Sequence, residues 1–245
     1  MIHALHGMAG QPGDLFPLLR KCGYPHTAWH LWRCLLDWPE CDSFPGFAAA
    51  LHREIAESPR PRVLLGYSMG ARLALQCLVT NSDDWDAAIL ISAHPGLEDE
   101  KEKAERLATD HHWAVRFLQE PWTEVMHDWN AQPVLAGESI VMSEQRLVEL
   151  WRREIAQAFH CWSLGAQPDL RPHLSDVQCP VLWITGERDR KFSTLAASCV
   201  KLLPDAVHVK IPGAGHRVHL DQPDAATQAI RKFLAARLPD PAESA

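Results

Sequence analysis

Arg62-Val63-Leu64-Leu65-Gly66-Tyr67-Ser68-Met69-Gly70-Ala71-Arg72 is the stretch from which the fold can be read. Val63-Leu64-Leu65 is a short continuous apolar run of the kind buried in a parallel sheet. Met69–Thr80 reads as a helix, and Gly66 and Gly70 bracket Ser68 in a turn too tight for side chains on both flanks. Strand, sharp turn and helix in that order predict one unit of a parallel α/β sheet. Upstream, Ile2–His6 and Thr27–Leu31 read as strands and Asp14–Cys22 as a helix. Phe44–Ala56 sets Phe44, Phe47, Ala48, Leu51 and Ile55 at helical spacing, so it covers one face of the sheet. Downstream, Ala87–Ile91 is another buried strand.

The alternation then stops and resumes only at the strand Val181–Thr185, far beyond what a crossover helix needs. Charge-rich helical stretches at Glu100–Leu118, Glu124–Trp129 and Glu144–Phe159 fill the interval. We therefore expect a core of residues 1–93 and 180–245, with residues 94–179 inserted as a helical cap. A helix at Thr194–Leu203, a strand at Val207–Ile211 and a helix at Pro223–Arg237 complete the core, and Pro239–Ala245 reads as a tail.

The 245 residues, 47% apolar and 22% charged, have ordinary globular composition. A net charge of −7 argues against a broad nucleic-acid footprint. No apolar run reaches the roughly eighteen residues of a membrane span, and Met1-Ile2-His3-Ala4-Leu5-His6-Gly7 lacks a secretory pattern, so a cytoplasmic protein is expected. Seven cysteines without a CxxC pair read as reduced thiols. Fourteen histidines invite a metal, but neither His111-His112 nor His216/His219 comes with zinc-ligand spacing, and we expect no metal or other cofactor.

Chemistry enters with the G-x-S-x-G at Gly66–Gly70. A strand–turn–helix elbow lifts a serine hydroxyl above the sheet, where an imidazole held by a carboxylate must activate it. In α/β-hydrolases the chain order is Ser, then Asp or Glu, then His. Asp189 follows the strand Val181–Thr185 and His216 follows Val207–Ile211, both beyond the carboxyl ends of strands. Glu187 competes for the acid role, and His219 reads as a local hydrogen-bonding residue or a substrate contact. The expected fold is accordingly an α/β-hydrolase fold: a mostly parallel central sheet flanked by helices, with an inserted helical cap. His6-Gly7-Met8-Ala9-Gly10 follows the first strand, so the Met8 and Met69 N–H groups form the expected oxyanion site. Arg72 sits in the first turn of the nucleophile helix, where the dipole disfavours a cation, and this marks an anion subsite or a pairing with a surface carboxylate. The cap adds Arg106, Arg116, Arg146, Arg152 and Arg153.

Together these motifs resemble the MenH family, the 2-succinyl-6-hydroxy-2,4-cyclohexadiene-1-carboxylate (SHCHC) synthases of menaquinone biosynthesis. The resemblance is carried by Gly66–Arg72, Ser92-Ala93-His94-Pro95-Gly96-Leu97, Asp128-Trp129-Asn130-Ala131-Gln132-Pro133-Val134, Gln167-Pro168-Asp169-Leu170, Gly186-Glu187-Arg188-Asp189-Arg190-Lys191-Phe192 and Ala214-Gly215-His216. It implies a cofactor-free lyase. A proton is removed from 2-succinyl-5-enolpyruvyl-6-hydroxy-3-cyclohexene-1-carboxylate and pyruvate is eliminated, with Ser68 acting as base and no acyl-enzyme formed. It further implies substrate contacts at Tyr67, Arg72, Arg106, Trp129 and Arg152, and a small polycarboxylate as the partner. Two other readings use the same residues. One is a serine esterase, thioesterase or carbon–carbon bond hydrolase working by acyl transfer; the other is a ligand-binding protein on the same scaffold that has lost turnover.

Overall fold

A computed structural model describes residues 1–135 and 145–238. Among these, six strands form one parallel sheet: β1 (Ile2–Leu5), β2 (His26–Trp29), β3 (Val63–Tyr67), β4 (Ala87–Ile91), β5 (Val181–Gly186) and β6 (Ala206–Ile211), in the spatial order β2-β1-β3-β4-β5-β6. The order reverses between β1 and β3, whose register pairs Leu5 with Gly66. The loops leaving those two strands therefore open side by side, the position at which parallel sheets form a ligand crevice.

Alternate residues of each strand enter opposite cores. Val63, Leu65, Ala87, Ile89 and Ile91 pack beneath α1 (Phe16–Cys22) and α11 (Pro223–Arg237). Leu64, Ala88, Leu90 and Trp183 face α3 (Phe44–Glu54), α4 (Met69–Thr80) and α9 (Arg190–Cys199). Between β4 and β5 run α5 (Glu100–Gln119), α6 (Trp122–Asn130), α7 (Gln145–Val148) and α8 (Arg152–Cys161). Phe117 at the centre of that group contacts Trp113, Trp122, Trp129 and Phe159 with ring centroids 5.3–6.2 Å apart, so several of the chain's tryptophans hold these helices together. No helix among the described residues is long and apolar enough to cross a membrane, and no group of three or more His, Cys, Asp or Glu is set to hold a metal ion.

Several elements differ from the sequence reading. The second strand ends at Trp29, and α2 (Leu31–Asp37) begins where the strand was expected to finish; its apolar face, Leu31, Trp32, Cys34 and Leu35, is buried. α9 starts at Arg190 rather than Thr194, because Asp189 caps it by accepting the Phe192 N–H at 3.4 Å. A four-residue helix, α10 (Val218–Asp221), follows His216. The expected helix start at Glu144, the Arg146 side chain and the tail Pro239–Ala245 lie outside the described residues.

Four buried histidines give the fold an acid-sensitive core. Desolvation lowers His3 to about 4 and His6, His94 and His219 each to about 3, from an ordinary 6.5. Because the unfolded chain takes up these protons first, stability is complete above about pH 6.5 and drains as pH falls toward the folded values, by about 1.4 kcal/mol per pH unit for each histidine. The urea midpoint at pH 5 is expected well below that at pH 7. Equal midpoints would show that these rings are accessible to protons in the folded state.

Candidate active site

Ser68 occupies the turn between β3 and α4 with φ +52° and ψ −112°, a conformation side chains rarely adopt. The turn closes only because its flanks lack side chains. A Cβ on Gly66 would come within 2.5 Å of the Gly70 carbonyl and the Ala71 Cα, and one on Gly70 would strike the carbonyls of Leu5 and His6. Gly70 thus lets the end of β1, and the Met8 loop beyond it, approach the serine.

The Ser68 hydroxyl donates to His216 Nε2 at 3.0 Å, and His216 Nδ1–H donates to Asp189 Oδ2 at 2.7 Å. The two oxygens of Asp189 therefore divide their work, one capping α9 and the other fixing the imidazole tautomer. Phe192 packs edge-on against the imidazole at 4.5 Å. Glu187 lies elsewhere: exposed, it accepts the Gly213 N–H at 3.1 Å. His219 is buried against the Tyr67 ring at 4.2 Å.

Ser68 opens into a cleft of two lobes of about 230 and 250 Å3, which share Met8, Ser68, Trp129 and Leu135. The larger lobe is cationic. Arg72, Arg106 and Lys191 line it against one carboxylate, Asp110, with the neutral His94, Met69, Gln132 and Trp113. Arg72 is only 7% exposed, and its hydrogen-bond partner is the neutral Gln167 Oε1 at 3.3 Å. Desolvation, reinforced by the charge of Arg106, pushes its pKa down to about 9. The nearby Asp110 carboxylate is engaged by the Arg106 Nε–H, at 2.9 Å to both oxygens, and by the Ser163 hydroxyl at 2.7 Å. His94 accepts the Gly96 N–H on Nδ1, so its neutral ring carries the proton on Nε2. Burial, with the surrounding Lys191, Arg72, Arg171 and Arg106, holds that ring uncharged. A buried cation without a carboxylate partner, beside a second cation, is costly unless an anion completes the site.

The structure brings Tyr67, Arg72, Arg106 and Trp129 to this cleft and leaves Arg152 out of it. Arg152 donates Nε to the Phe117 carbonyl at 2.7 Å and Nη2 to the Glu120 carbonyl, and its guanidinium lies 5.5 Å from the Trp122 ring centroid. Its place is fixed by the carbonyl end of α5, where unpaired acceptors and the negative end of the helix dipole favour a cation. Arg152→Ala is therefore expected to lower stability by about 1–3 kcal/mol while leaving kcat/KM within about threefold. Denaturant curves beside steady-state rates check this, and a hundredfold loss of activity at unchanged stability would return Arg152 to the substrate.

His94, Gln132, Lys191 and Arg217 also line the cleft, although sequence reasoning did not assign them. Three of them fall within stretches that carried the family resemblance, which was the available signal. Arg217 directly follows His216 and had none.

Residues 5–229 match the family described as "Alpha/beta hydrolase family". The 2-succinyl-6-hydroxy-2,4-cyclohexadiene-1-carboxylate synthases of Salmonella heidelberg (strain SL476) and Salmonella newport (strain SL254) are 35% identical over 176 residues, spanning 70% of this chain and 67% of theirs. The chain belongs to the SHCHC synthase family of alpha/beta hydrolases. Its fold is similar to that of MenH from S. aureus, with a TM-score of 0.85 and 23% identity over 96% of this chain and 93% of that one. A thermophilic esterase from Thermogutta terrifontis also shares the fold, with a TM-score of 0.71 and 20% identity over 96% of this chain and 89% of that one. That one scaffold serves both a synthase and an esterase places the weight of the functional argument on the site, and here on its cationic lobe.

Proposed function

We infer that this protein eliminates pyruvate from 2-succinyl-5-enolpyruvyl-6-hydroxy-3-cyclohexene-1-carboxylate to give SHCHC in menaquinone biosynthesis. The observation that carries this reading is the buried, charged Arg72, hydrogen-bonded to the neutral Gln167 and in no ion pair with a described carboxylate, in the same lobe as Ser68 and His216. A hydrolase of neutral esters has no use for it.

The chemistry follows from the positions of the double bonds. The substrate ring is unsaturated at C3 and the product at C2 and C4. A proton therefore leaves C2, next to the succinyl ketone, and the C–O bond at C5 breaks. Ser68 Oγ takes the C2 proton as its own proton passes to His216 Nε2, and Asp189 steadies the imidazolium. The electron pair moves through the ketone as an enolate, whose oxygen the Met8 and Met69 N–H groups receive. The pair then returns through the ring and expels enolpyruvate, which takes a proton and becomes pyruvate. No bond to Ser68 forms. In the same reading, residues 94–179 act as a cap that supplies Arg106 and Trp129 to the cleft, Tyr67 and Trp129 flank the ring, and the enzyme works in the cytoplasm on a small polycarboxylate.

The test is pyruvate release measured against the spontaneous reaction, with Ser68→Ala as the control. Release that is fast and depends on Ser68 is expected. No acceleration, together with burst turnover of aryl esters, would replace the lyase by acyl transfer on the same triad.

A further inference from the structure

Arg217 is a second cation of the cleft, in the lobe away from Arg72. Its backbone is anchored by the first turn of α10, where the N–H groups of Leu220 and Asp221 both reach its carbonyl at 2.9 Å. Its side chain crosses to the cap and donates Nη2 to Asn130 Oδ1 at the end of α6, and it also hydrogen-bonds Tyr67. Both acceptors are neutral, and no described carboxylate forms an ion pair with Arg217. A guanidinium has five N–H donors, so these contacts orient the fork and leave donors for the cleft. Among the described residues that line this lobe, the acid is Asp14, whose Oδ2 accepts the Gln11 N–H at 2.9 Å.

The inference rests on the pyruvate-eliminating reading. The succinyl and enolpyruvyl groups of that substrate leave the ring at C2 and C5, directly across from each other, and each ends in a carboxylate. With the C2 proton at Ser68, which belongs to both lobes, one chain enters the Arg72 lobe and the other enters the lobe lined by Tyr67, His219 and Arg217. We propose that Arg217 binds a terminal carboxylate of the substrate in this second lobe, supplying the contact that Arg152, held at the end of α5, does not make. A cation at each end of the cleft fixes the ring between them and sets the length of polycarboxylate that fits.

Steady-state pyruvate release by Arg217→Gln, Arg217→Lys and Asn130→Ala, each measured across ionic strength, tests this. The carboxylate itself makes and breaks no bond, so its contact holds ground state and transition state alike. Arg217→Gln is therefore expected to raise KM at least tenfold, to change kcat less than threefold, and to flatten the rise of KM with salt. Arg217→Lys should recover much of the KM. Asn130→Ala, which removes the tie to the cap and keeps the charge, should retain the wild-type salt dependence. If Asn130→Ala and Arg217→Gln change KM and its salt dependence alike, Arg217 is a strut between core and cap and the proposal falls. It falls equally if Arg217→Gln leaves KM within threefold of wild type. Wild-type enzyme without Ser68-dependent release would refute the functional reading itself and take this inference with it.

Discussion

Ser68→Ala is expected to lower kcat for pyruvate release by roughly three to four orders of magnitude, with KM little changed and the fold intact. The size follows from the relay. In the proposed reaction Ser68 is the group nearest the substrate proton, and His216, 3.0 Å behind it, acts through the serine oxygen. Alanine retains the Met69 N–H and the cationic lobe, so substrate still binds and the enolate is still stabilised, but no base remains to form it. Because serine and imidazole act as one unit, Ser68→Ala/His216→Ala should be no slower than either single variant. Rates that multiply in the double variant would show two independent bases. A Ser68→Ala enzyme within tenfold of wild type would remove the serine from the mechanism altogether. Circular dichroism and thermal unfolding of the same preparations separate these outcomes from misfolding.

Arg72→Met is expected to move activity and stability in opposite directions. Truncating a buried charge that meets an anionic group costs about 2–5 kcal/mol, a loss of roughly thirty- to several-thousandfold in kcat/KM for the carboxylated substrate. The same charge burdens the folded enzyme before substrate arrives. It is desolvated, pushed down to about 9, and bonded to the neutral Gln167 rather than to a carboxylate. An apolar side chain of similar length beside Phe44, whose ring centroid lies 5.4 Å from the guanidinium, removes that burden. The melting temperature should therefore rise by a few degrees, since about 1 kcal/mol corresponds to about 2–4 °C in a domain of this size. A destabilised Arg72→Met enzyme with normal kinetics would make Arg72 a structural residue. Equal losses on a carboxylated substrate and on a neutral ester would remove the anion subsite.

Ser68, Asp189 and His216 were legible because each is placed by local structure that leaves a local mark. The elbow around Ser68 needs Gly66 and Gly70 for steric reasons that no distant residue can relieve. Asp189 and His216 sit where strands end, and the ends of apolar runs are visible in a sequence. Glu187 stood two residues from Asp189 with the same charge, and it took the turn of the chain after β5 to point one carboxylate at the imidazole and the other at the Gly213 N–H. α2 was hidden because Leu31-Trp32 continues the apolar character of the strand before it, and a short apolar run does not distinguish strand from helix.

The arginines mark the limit. Arg72 betrayed itself by occupying the wrong end of a helix, a local contradiction that chain order exposes. Arg106 and Arg152 belong to the same inserted helical region, yet one lines the cleft while the other holds the carbonyl end of α5. Arg217 bore no mark at all and still reaches the lobe beside Ser68. The parallel sheet, the insertion between β4 and β5, and the serine, acid and histidine in their order could be read from the residues alone, because these depend on steric rules and apolar periodicity that act within a few residues. Which cations line the cleft depends on the packing of elements distant in the chain. A guanidinium on a long, flexible stem goes to whatever acceptor the fold brings within its reach, and those acceptors, Gln167 for Arg72, Phe117 for Arg152 and Asn130 for Arg217, lie far away along the chain.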